Sequence, residues 1–494
     1  MRLTELAPDM IKVDPLTRDT EISGLTADSR RVKPGYLFAA LPSATENSGT
    51  DGRDFIGDAL ERGAVAILAP DGTQIPGGNA QTHLITDANP RWRLSQFAAR
   101  YYQRQPKTIV GVTGTNGKSS VAGFTRQIWA RLGEKSAAMG TLGLDADGFE
   151  AGPSLTTPDP VTLHETLSEL SEAGVDHLAL EASSHGLDQY RLDGVRFAAA
   201  AFTNLTRDHL DYHKTEAAYF EAKLRLFRFL LPLNGAAVLN ADSPYFEPVA
   251  DVCRAAGHRI RSFGIQTSDL HIADVSALAD GLRLCVTVRD RSYETRLNLV
   301  GGFQTYNVLA ALGLAVETGA DFTDAFGTLA HLRGVRGRME RIGALDNGAQ
   351  VYVDYAHTPD ALKTALTSIR PHVGGKLHVA FGAGGDRDPG KRPMMGAVAA
   401  EHADRVIVTD DNPRREEPES IRRQILVECP DALEIGDRAE AIAAGITALE
   451  SGDILVIAGK GHETGQIVAS ETLPFDDAEV ARDIIRDAGG EIAS

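Results

Sequence analysis

Residues 111–120 read GVTGTNGKSS, and their interpretation decides the fold. They follow Thr108, Ile109 and Val110 and precede a helix-like run, the strand, glycine turn and helix order in which chains bind nucleotide phosphates. A glycine-rich turn lets backbone N–H groups point into one concavity. Lys118 supplies a cation for the outer phosphates, and the Ser119 hydroxyl is placed to ligate magnesium. The usual eight-residue phosphate loop has a glycine five positions before Gly117. Val112 stands there instead, so the match is to a compact variant that uses Gly114. A tight turn without a ligand would account for the glycines but not for a lysine followed by two hydroxyls.

A chain of 494 residues exceeds what one hydrophobic core organises, and about three domains of ~150 residues are expected. Hydrophobic content of 43% with 24% charged residues belongs to a globular protein rather than a disordered or fibrous one. Acidic residues number 68 against 50 basic ones. The formal net charge of −18 argues against general adhesion to nucleic acid or anionic membranes, so anionic ligands must be met by local cations. Cys253, Cys285 and Cys429 are widely spaced and read as core thiols of a reducing compartment, not as a zinc or redox pair. The amino terminus carries Glu5, Asp9 and Asp14 without a basic start. No run approaches roughly eighteen apolar residues, so a cytoplasmic location without a membrane span is expected. No fixed-period repeat is visible, and residues 72–78, GTQIPGG, read as a loop.

Up to residue 88, apolar runs at 36–41 and 64–68 alternate with turn-rich loops and predict a small α/β unit whose best clue is Asp28-Ser29-Arg30. The amphipathic run 93–102 leads into the phosphate-loop strand, and strand-like segments at 177–180 and 197–203 continue a nucleotide-binding α/β domain. The cluster HLRGVRGR at 331–338 reads as a hinge rather than a packed element. Beyond it, three apolar strands each run into a polar loop: 377–381 into GAGGDRD, 406–409 into DDNPR, and 454–458 into GKGHE. Open parallel sheets bind ligands at the carboxyl ends of their strands, so these loops imply one shared site, expected to face the nucleotide domain. The fold class is therefore α/β in three domains, drawn at 1–88, 89–334 and 335–494: a small amino-terminal domain, a central P-loop ATPase-like domain and a carboxyl-terminal Rossmann-like domain.

Glu181 ends the run His177-Leu178-Ala179-Leu180 and opens EASSHGLDQYR, a natural position for a carboxylate holding magnesium beside a phosphate loop; a solvated loop glutamate is the alternative. Ser183, Ser184, His185, Gln189 and Arg191 crowd the same segment with donors for phosphate, amide and carboxylate groups, which points to an extended polar substrate. Residues 203–213, TNLTRDHLDYH, gather Asp208, His209, Asp211 and His213. Two histidines and two aspartates can make a zinc site, but the spacing matches no standard zinc pattern and the hydroxyl-rich loop favours magnesium. In AYFEAKLRLF, Tyr219, Lys223 and Phe227 fall on one helical stripe. Partial burial would depress the lysine pKa, and a neutral amine reacts with carbon dioxide to give a metal-ligating carbamate. The alternative is a packed stem whose ammonium snorkels to water. Asn307, before an expected helix at 308–316, is a nucleotide contact or an N-cap. Arg338 in GRME is a nucleotide contact or a surface charge. His357 in DYAHTPDA, after a short strand at 351–353, is a ligand or a satisfied structural histidine.

GTNGK, EASSHGL, TNLTRDHLDYH, GRME, DYAHTPDAL, GGDRD, DDNPR and GKGHE occur in this order over most of the chain, and through them the sequence resembles the Mur ligase family. In the amino-terminal part the likeness rests mainly on TADSR and PGYLFAAL. The resemblance implies a magnesium-assisted, ATP-dependent amide ligase of cytoplasmic peptidoglycan precursor synthesis. Its implied partners are small molecules, with no nucleic acid and no membrane, and a monomer is expected. Ser29 would contact the uridine nucleotide of a UDP-linked substrate, and Thr156, Thr157, Ser183, Gln189 and Arg191 its muramoyl dipeptide portion. Gly114, Thr115, Asn116, Gly117, Lys118, Ser119 and Ser120 would bind the ATP phosphates. Ser119 and Glu181 would hold magnesium with His209 nearby, and Asn307, Arg338 and His357 would position the nucleotide. Lys223 matches the position that is carbamylated in the family, so the implied state is the carbamate, a metal ligand. Lys118, Glu181, His209 and Lys223 form the implied catalytic set. Arg387, Asp411, Asn412, Pro413, Arg414, Gly459 and Glu463 match positions that hold the incoming amino acid. Two departures from the family pattern keep its polarity: Gln304 replaces an asparagine, and Ser119-Ser120 replaces a threonine pair.

Within DNPR, Arg414 can make two parallel bonds to the distal carboxylate of meso-2,6-diaminopimelate, a group that lysine lacks. The implied reaction joins that amino acid to UDP-N-acetylmuramoyl-L-alanyl-D-glutamate through an acyl phosphate. Ligases that add lysine or D-alanyl-D-alanine, and folylpolyglutamate-type ligases, are the neighbouring alternatives. An ATP-hydrolysing switch would leave residues 181–191 and the three carboxyl-terminal loops without a purpose. Residues 42–53, PSATENSGTDGR, are expected at the uridine site.

Overall fold

Short aliphatic strands separated by amphipathic helices generate parallel sheets, because each strand needs a crossover to return to the same edge. The computed structural model describes residues 1–8, 20–43, 51–75, 82–149 and 155–493. Asp9, Asp14, residues 76–78 of the expected loop and residues 44–50 of the expected uridine-site stretch lie outside the described residues. Two units result, residues 1–268 with 310–325, and residues 269–309 with 326–494.

The first unit opens with a parallel sheet of β1 (Gly24–Thr26), β2 (Tyr36–Ala39), β3 (Ala66–Pro70) and β4 (His83–Asp87), in that order. Ser29 begins the short 3-10 turn Ser29–Arg31 after β1, and Asp28 caps it by accepting from the Arg30 N–H. The helix Pro90–Tyr102 starts with proline at an end where no amide donor is needed and with Asn89 accepting from the Trp92 N–H. Its Leu94, Phe97 and Ala98 fill the core against this sheet. From the same segment Ser95 Oγ donates to the Tyr190 carbonyl (2.5 Å) and Gln105 Nε2 to the Gly194 carbonyl (2.9 Å), tying the small sheet to the next.

That next sheet holds β5 (Thr108–Thr113), β6 (Ser136–Gly140), β7 (Gly143–Ala146), β8 (His177–Glu181), β9 (Phe197–Phe202), β10 (Ala236–Asn240) and β11 (Arg259–Gly264). Their order is β11-β10-β9-β5-β8-β6-β7, and of these pairings β6 with β7 is antiparallel. β5 is central and almost wholly buried, as a parallel strand covered on both faces requires. The helix Lys118–Arg131 follows it and packs Val121, Phe124, Ile128 and Trp129 inward. Val112 of β5 lies opposite Glu181 of β8, so the glycine-rich turn and this carboxylate emerge at one end of the sheet.

The second unit begins with the antiparallel meander β12 (Leu270–Leu278), β13 (Gly281–Val288) and β14 (Arg291–Leu297). Cys285 is only half-buried on β13, because alternate residues of this ribbon face outward. Cys253 and Cys429 are buried as expected, and burial pushes their thiols up to about 12 and about 11. A further sheet contains β15 (Glu340–Ala344), β16 (Gln350–Asp354), β17 (Leu377–Phe381), β18 (Arg405–Val408), β19 (Leu433–Glu434), β20 (Ile454–Ala458) and, after the hairpin β21 (Gly465–Val468) and β22 (Glu471–Pro474), β23 (Glu491–Ile492). The order is β19-β18-β17-β20-β16-β15-β23. β18, β17 and β20 are parallel neighbours, so the three polar loops that follow them open at one edge.

Two local expectations change. The helix expected at 308–316 starts at Phe303, because the Gln304 side chain accepts from Asn307 Nδ2 (2.9 Å) and supports an extra turn; Asn307 is therefore inside the helix and is not its N-cap. The glycine- and arginine-rich stretch 331–338 is not an unpacked link: Leu332 and Val335 are buried, and Gly337 N–H donates to Glu340 (2.8 Å). Among the described residues no helix is long and apolar enough to cross a membrane.

Arg438 anchors this sheet from beneath its loops. The guanidinium is fully buried, makes two 2.7 Å bonds to the equally buried Asp477, and donates to the carbonyls of Ala458 (3.0 Å) and Asp410 (3.3 Å). Burial opposes its charge, but Asp477 outweighs burial and raises the guanidinium pKa. Asp477→Ala strands that cation, and urea unfolding should register a loss of about 3–5 kcal/mol in the second unit. The paired replacement Arg438→Met with Asp477→Leu should cost distinctly less in the same titration, since it leaves no buried charge.

Candidate active site

The turn after β5 is shaped by close backbone approach. Gly114 has φ +144°, and a Cβ there would lie 1.9 Å from Thr203 Oγ1, so only glycine fits. Thr203 Oγ1 donates to the Asn116 carbonyl (2.6 Å), Asn204 Oδ1 accepts from the Asn116 N–H (2.9 Å), and Thr115 Oγ1 is 3.1 Å from the Tyr219 hydroxyl. The loop after β9 thus braces the loop after β5. Lys118 Nζ folds back onto the carbonyls of Gly114 (3.1 Å) and Thr115 (2.8 Å), while Ser119 and Ser120 are buried in the first helical turn.

Glu181, 2% exposed, is fixed by Thr141, whose N–H donates to Oε1 (2.9 Å) and whose hydroxyl donates to Oε2 (3.2 Å). The solvated-glutamate alternative is thereby excluded. A Cβ on Gly140 would sit 2.1 Å from Glu181 Oε1, so the carboxylate occupies room that a glycine leaves. Thr141 Oγ1 also meets Thr156 Oγ1 (2.9 Å). Thr157 Oγ1 donates to the Glu181 carbonyl (2.9 Å) and accepts from the Ser183 N–H (3.0 Å). Arg191 reaches the Thr157 carbonyl and Gln189 Oε1, both at 2.7 Å. The expected substrate residues Thr156, Thr157, Ser183, Gln189 and Arg191 therefore form one network with Glu181. Ser29 has no hydrogen bond to it among the described residues.

Lys223 is 1% exposed and donates to the same Gly114 carbonyl (2.8 Å), with its Nζ 4.4 Å from the Tyr219 ring centre. It does not snorkel: helix Glu216–Arg225 turns this residue inward between Tyr219 and Phe227. Burial, reinforced by the Lys118 charge and opposed by Asp208, holds its pKa well below a lysine's ordinary value. Nearby, the His185 ring packs on His209 (4.9 Å), Tyr212 (4.2 Å) and His213 (5.5 Å). Burial first, then its histidine neighbours, lower the His185 pKa to about 4. His209 lies at φ +52° with Nε2 3.5 Å from Asp208. Among the described residues no three histidine, cysteine, aspartate or glutamate side chains converge as a metal cluster. The Glu181 carboxylate and the Ser119 hydroxyl, both buried, are hard oxygen donors, and that chemistry fits magnesium better than zinc.

In the second unit, Arg338 lies over the Tyr355 ring (4.5 Å), which packs on His357 (4.6 Å) and His462 (5.0 Å). Arg338 is therefore held in a stack and is no loose surface charge. His357 Nδ1 is 2.9 Å from the Tyr355 carbonyl. Burial, followed by Arg338 and Arg336, lowers the His462 pKa to about 4. Asn307 is buried at the helix Phe303–Glu317.

The three loops after β17, β18 and β20 interlock. Asn412 Nδ2 donates to Glu463 Oε2 (2.8 Å), Arg414 Nη1 donates to the Gly385 carbonyl (2.9 Å), and a Cβ on Gly459 would meet Asp411 Oδ2 at 2.7 Å. Asp411, Asn412 and Pro413 are buried, Arg414 is half-buried, and Arg387 is exposed at the rim. Sequence reasoning missed Thr141, Asn204, Tyr219 as a ligand of Thr115, and Tyr355. The contacts of Thr141 with Glu181, Asn204 with Asn116 and Tyr219 with Thr115 span 40, 88 and 104 positions, which no local spacing announces. His462 and Lys460 stood within GKGHE and had a visible signal.

The Mur ligase family, catalytic domain matches residues 21–102, the Mur ligase middle domain residues 112–315, and the Mur ligase, glutamate ligase domain residues 337–461. A UDP-N-acetylmuramoyl-L-alanyl-D-glutamate–2,6-diaminopimelate ligase of Bradyrhizobium diazoefficiens is 51% identical over 486 residues, covering 97% of this chain and 98% of its own. The enzyme of that name from Rhizobium meliloti is 50% identical over 490 residues, covering 98% and 99%. A solved structure of a ligase with the same name matches with a TM-score of 0.73 at 34% identity over 99% of both chains. With three successive domain matches and near-full-length identity of about half, the chain belongs to the Mur ligase family.

Proposed function

We propose that this chain is an ADP-forming, ATP-dependent ligase that adds meso-2,6-diaminopimelate to UDP-N-acetylmuramoyl-L-alanyl-D-glutamate in peptidoglycan precursor synthesis. The observation that carries this reading is the interlocking of Asn412, Arg414 and Glu463, in which the Asn412 side chain meets the Glu463 carboxylate and its carbonyl meets the Arg414 guanidinium, opposite charges on one loop for an amino acid. The names of its relatives at about 50% identity support the same choice. Domain boundaries near 88 and 334, a monomer and a cytoplasmic location belong to the same proposal.

In this reading residues 114–120 take the ATP phosphates, and Asn307, Arg338 and His357 position the nucleotide. Ser29 meets the uridine, and the network of Thr156, Thr157, Ser183, Gln189 and Arg191 holds the muramoyl dipeptide. A γ-carboxylate oxygen of the D-glutamyl residue attacks the γ-phosphorus of ATP, the bond to the bridging oxygen breaks, and ADP leaves. The amine nitrogen of the amino acid then attacks the acyl carbon and loses a proton as inorganic phosphate departs. Lys118 neutralises charge where carboxylate and polyphosphate meet, with Arg338 assisting, so positioning and electrostatics do most of the catalysis. Magnesium, when bound by Ser119, Glu181 and a Lys223 carbamate with His209 nearby, would add further charge neutralisation at that meeting point. Lys223 becomes that carbamate when its neutral amine adds carbon dioxide and releases a proton, and burial, which lowers its pKa, favours that neutral amine. Arg387, Asp411, Asn412, Pro413, Arg414, Gly459 and Glu463 hold the incoming amino acid.

Phosphate release by the purified protein should require both the UDP-linked dipeptide and diaminopimelate. Turnover with ATP alone would favour a switch, and equal kcat/KM for lysine would favour a lysine-adding ligase. Lys118→Ala should lower amide synthesis at least about a hundredfold without changing the far-ultraviolet circular dichroism. With carbon-13 bicarbonate at pH 7, the protein should give a carbamate resonance that is missing from Lys223→Arg. An identical spectrum from both would remove the carbamate from the proposal.

A further inference from the structure

Lys460 is fully buried, yet it lies outside every role assigned so far. Its ammonium donates to Asn412 Oδ1 (3.0 Å) and Glu463 Oε2 (3.2 Å). A buried ammonium is tolerated only when such partners are fixed in place. Asn412 Oδ1 accepts a second bond from the Ile467 N–H (2.9 Å), which uses that oxygen fully and turns the amide so that Nδ2 donates to Glu463 Oε2 (2.8 Å). Two donors therefore hold one oxygen of Glu463, on a side chain one-third exposed, while Oε1 has no hydrogen bond among the described residues. Arg414 approaches the Asn412 carbonyl at 3.4 Å, so a fixed anion and a cation flank the same loop. Those two charges are opposite in sign to the ammonium and carboxylate that one carbon of an amino acid carries.

We propose that Lys460 is a positioning residue for amino-acid recognition. It aligns the Asn412 amide and pins the Glu463 carboxylate, which receives the ammonium borne on the same carbon as the carboxylate held by Arg414. Lys460 itself touches no substrate and acts through Glu463. The inference rests on the amino-acid-adding reading above and deepens it.

The test compares diaminopimelate with 2-aminopimelate, which keeps both carboxylates and lacks one ammonium. The unaltered protein should prefer diaminopimelate by about tenfold or more in kcat/KM, because a charge-assisted hydrogen bond is lost with the analogue. Lys460→Met should raise KM for diaminopimelate about tenfold, leave KM for ATP and for the UDP-linked dipeptide within about twofold, and reduce the preference over the analogue to about twofold or less. A loss of packing alone would raise KM for both amino acids together and preserve the preference, which would overturn the inference. If Lys460→Met does not fold, Lys460→Met combined with Glu463→Gln leaves no stranded charge. This double variant should match Glu463→Gln alone in KM for diaminopimelate, and a further tenfold rise would overturn the inference. Absence of any amino-acid-dependent turnover in the unaltered protein would instead bring down the ligase reading, and this inference with it.

Discussion

The side-chain nitrogens of Lys118 and Lys223 converge on one carbonyl oxygen, that of Gly114, at 3.1 Å and 2.8 Å. Much of the amino-terminal unit serves to make that convergence stable. Gly114 can turn its carbonyl toward both because it lacks a side chain where Thr203 passes. Lys118 arrives on the first turn of the helix after β5, and Lys223 arrives from a helix more than a hundred residues further on. Burial disfavours the charged form of Lys223 and the nearby Lys118 charge adds to that effect, which is why the Lys223 pKa is depressed.

This local positive charge answers a problem set by composition. The proposed ligase reading asks a chain with a formal charge of −18 to take a nucleotide and an acidic substrate, and long-range steering would act in the wrong direction. The answer is short-range: lysines aimed by backbone carbonyls, Arg191 clamped between Thr157 and Gln189, and Arg338 stacked on Tyr355. Each cation is held in one orientation before a ligand arrives, so little reorganisation is left for binding or reaction.

The sequence made much of this legible where the physics is local. The phosphate loop depends on glycines and on the strand and helix that flank it, and all of these lie within thirty residues. The three carboxyl-terminal loops were readable because an apolar strand ending in a polar loop is itself a local pattern, and parallel pairing then sets the loops side by side. Long-range contacts were not legible. Thr141 holds Glu181 across 40 positions, and nothing in its neighbourhood marks it. Lys223 left burial and snorkelling open because a helical stripe gives a direction but not a depth. Residues 331–338 misled through their glycine and arginine content, although Leu332 and Val335 supply buried anchors. At Asn307 a hydrogen bond from within the helix overrode the capping pattern.

Gly140 carries a consequence for inherited variation. Glu181 fills the volume that a methyl group at position 140 would claim, and its carboxylate is already tethered to the next residue's N–H and hydroxyl. An allele encoding alanine there would look benign by any substitution scale, since the strand conformation suits alanine well. It would nonetheless evict an acidic group from its berth, so the smallest change available to the codon would displace the Glu181 carboxylate, while bulkier exchanges on the outer faces of the helices leave it in place.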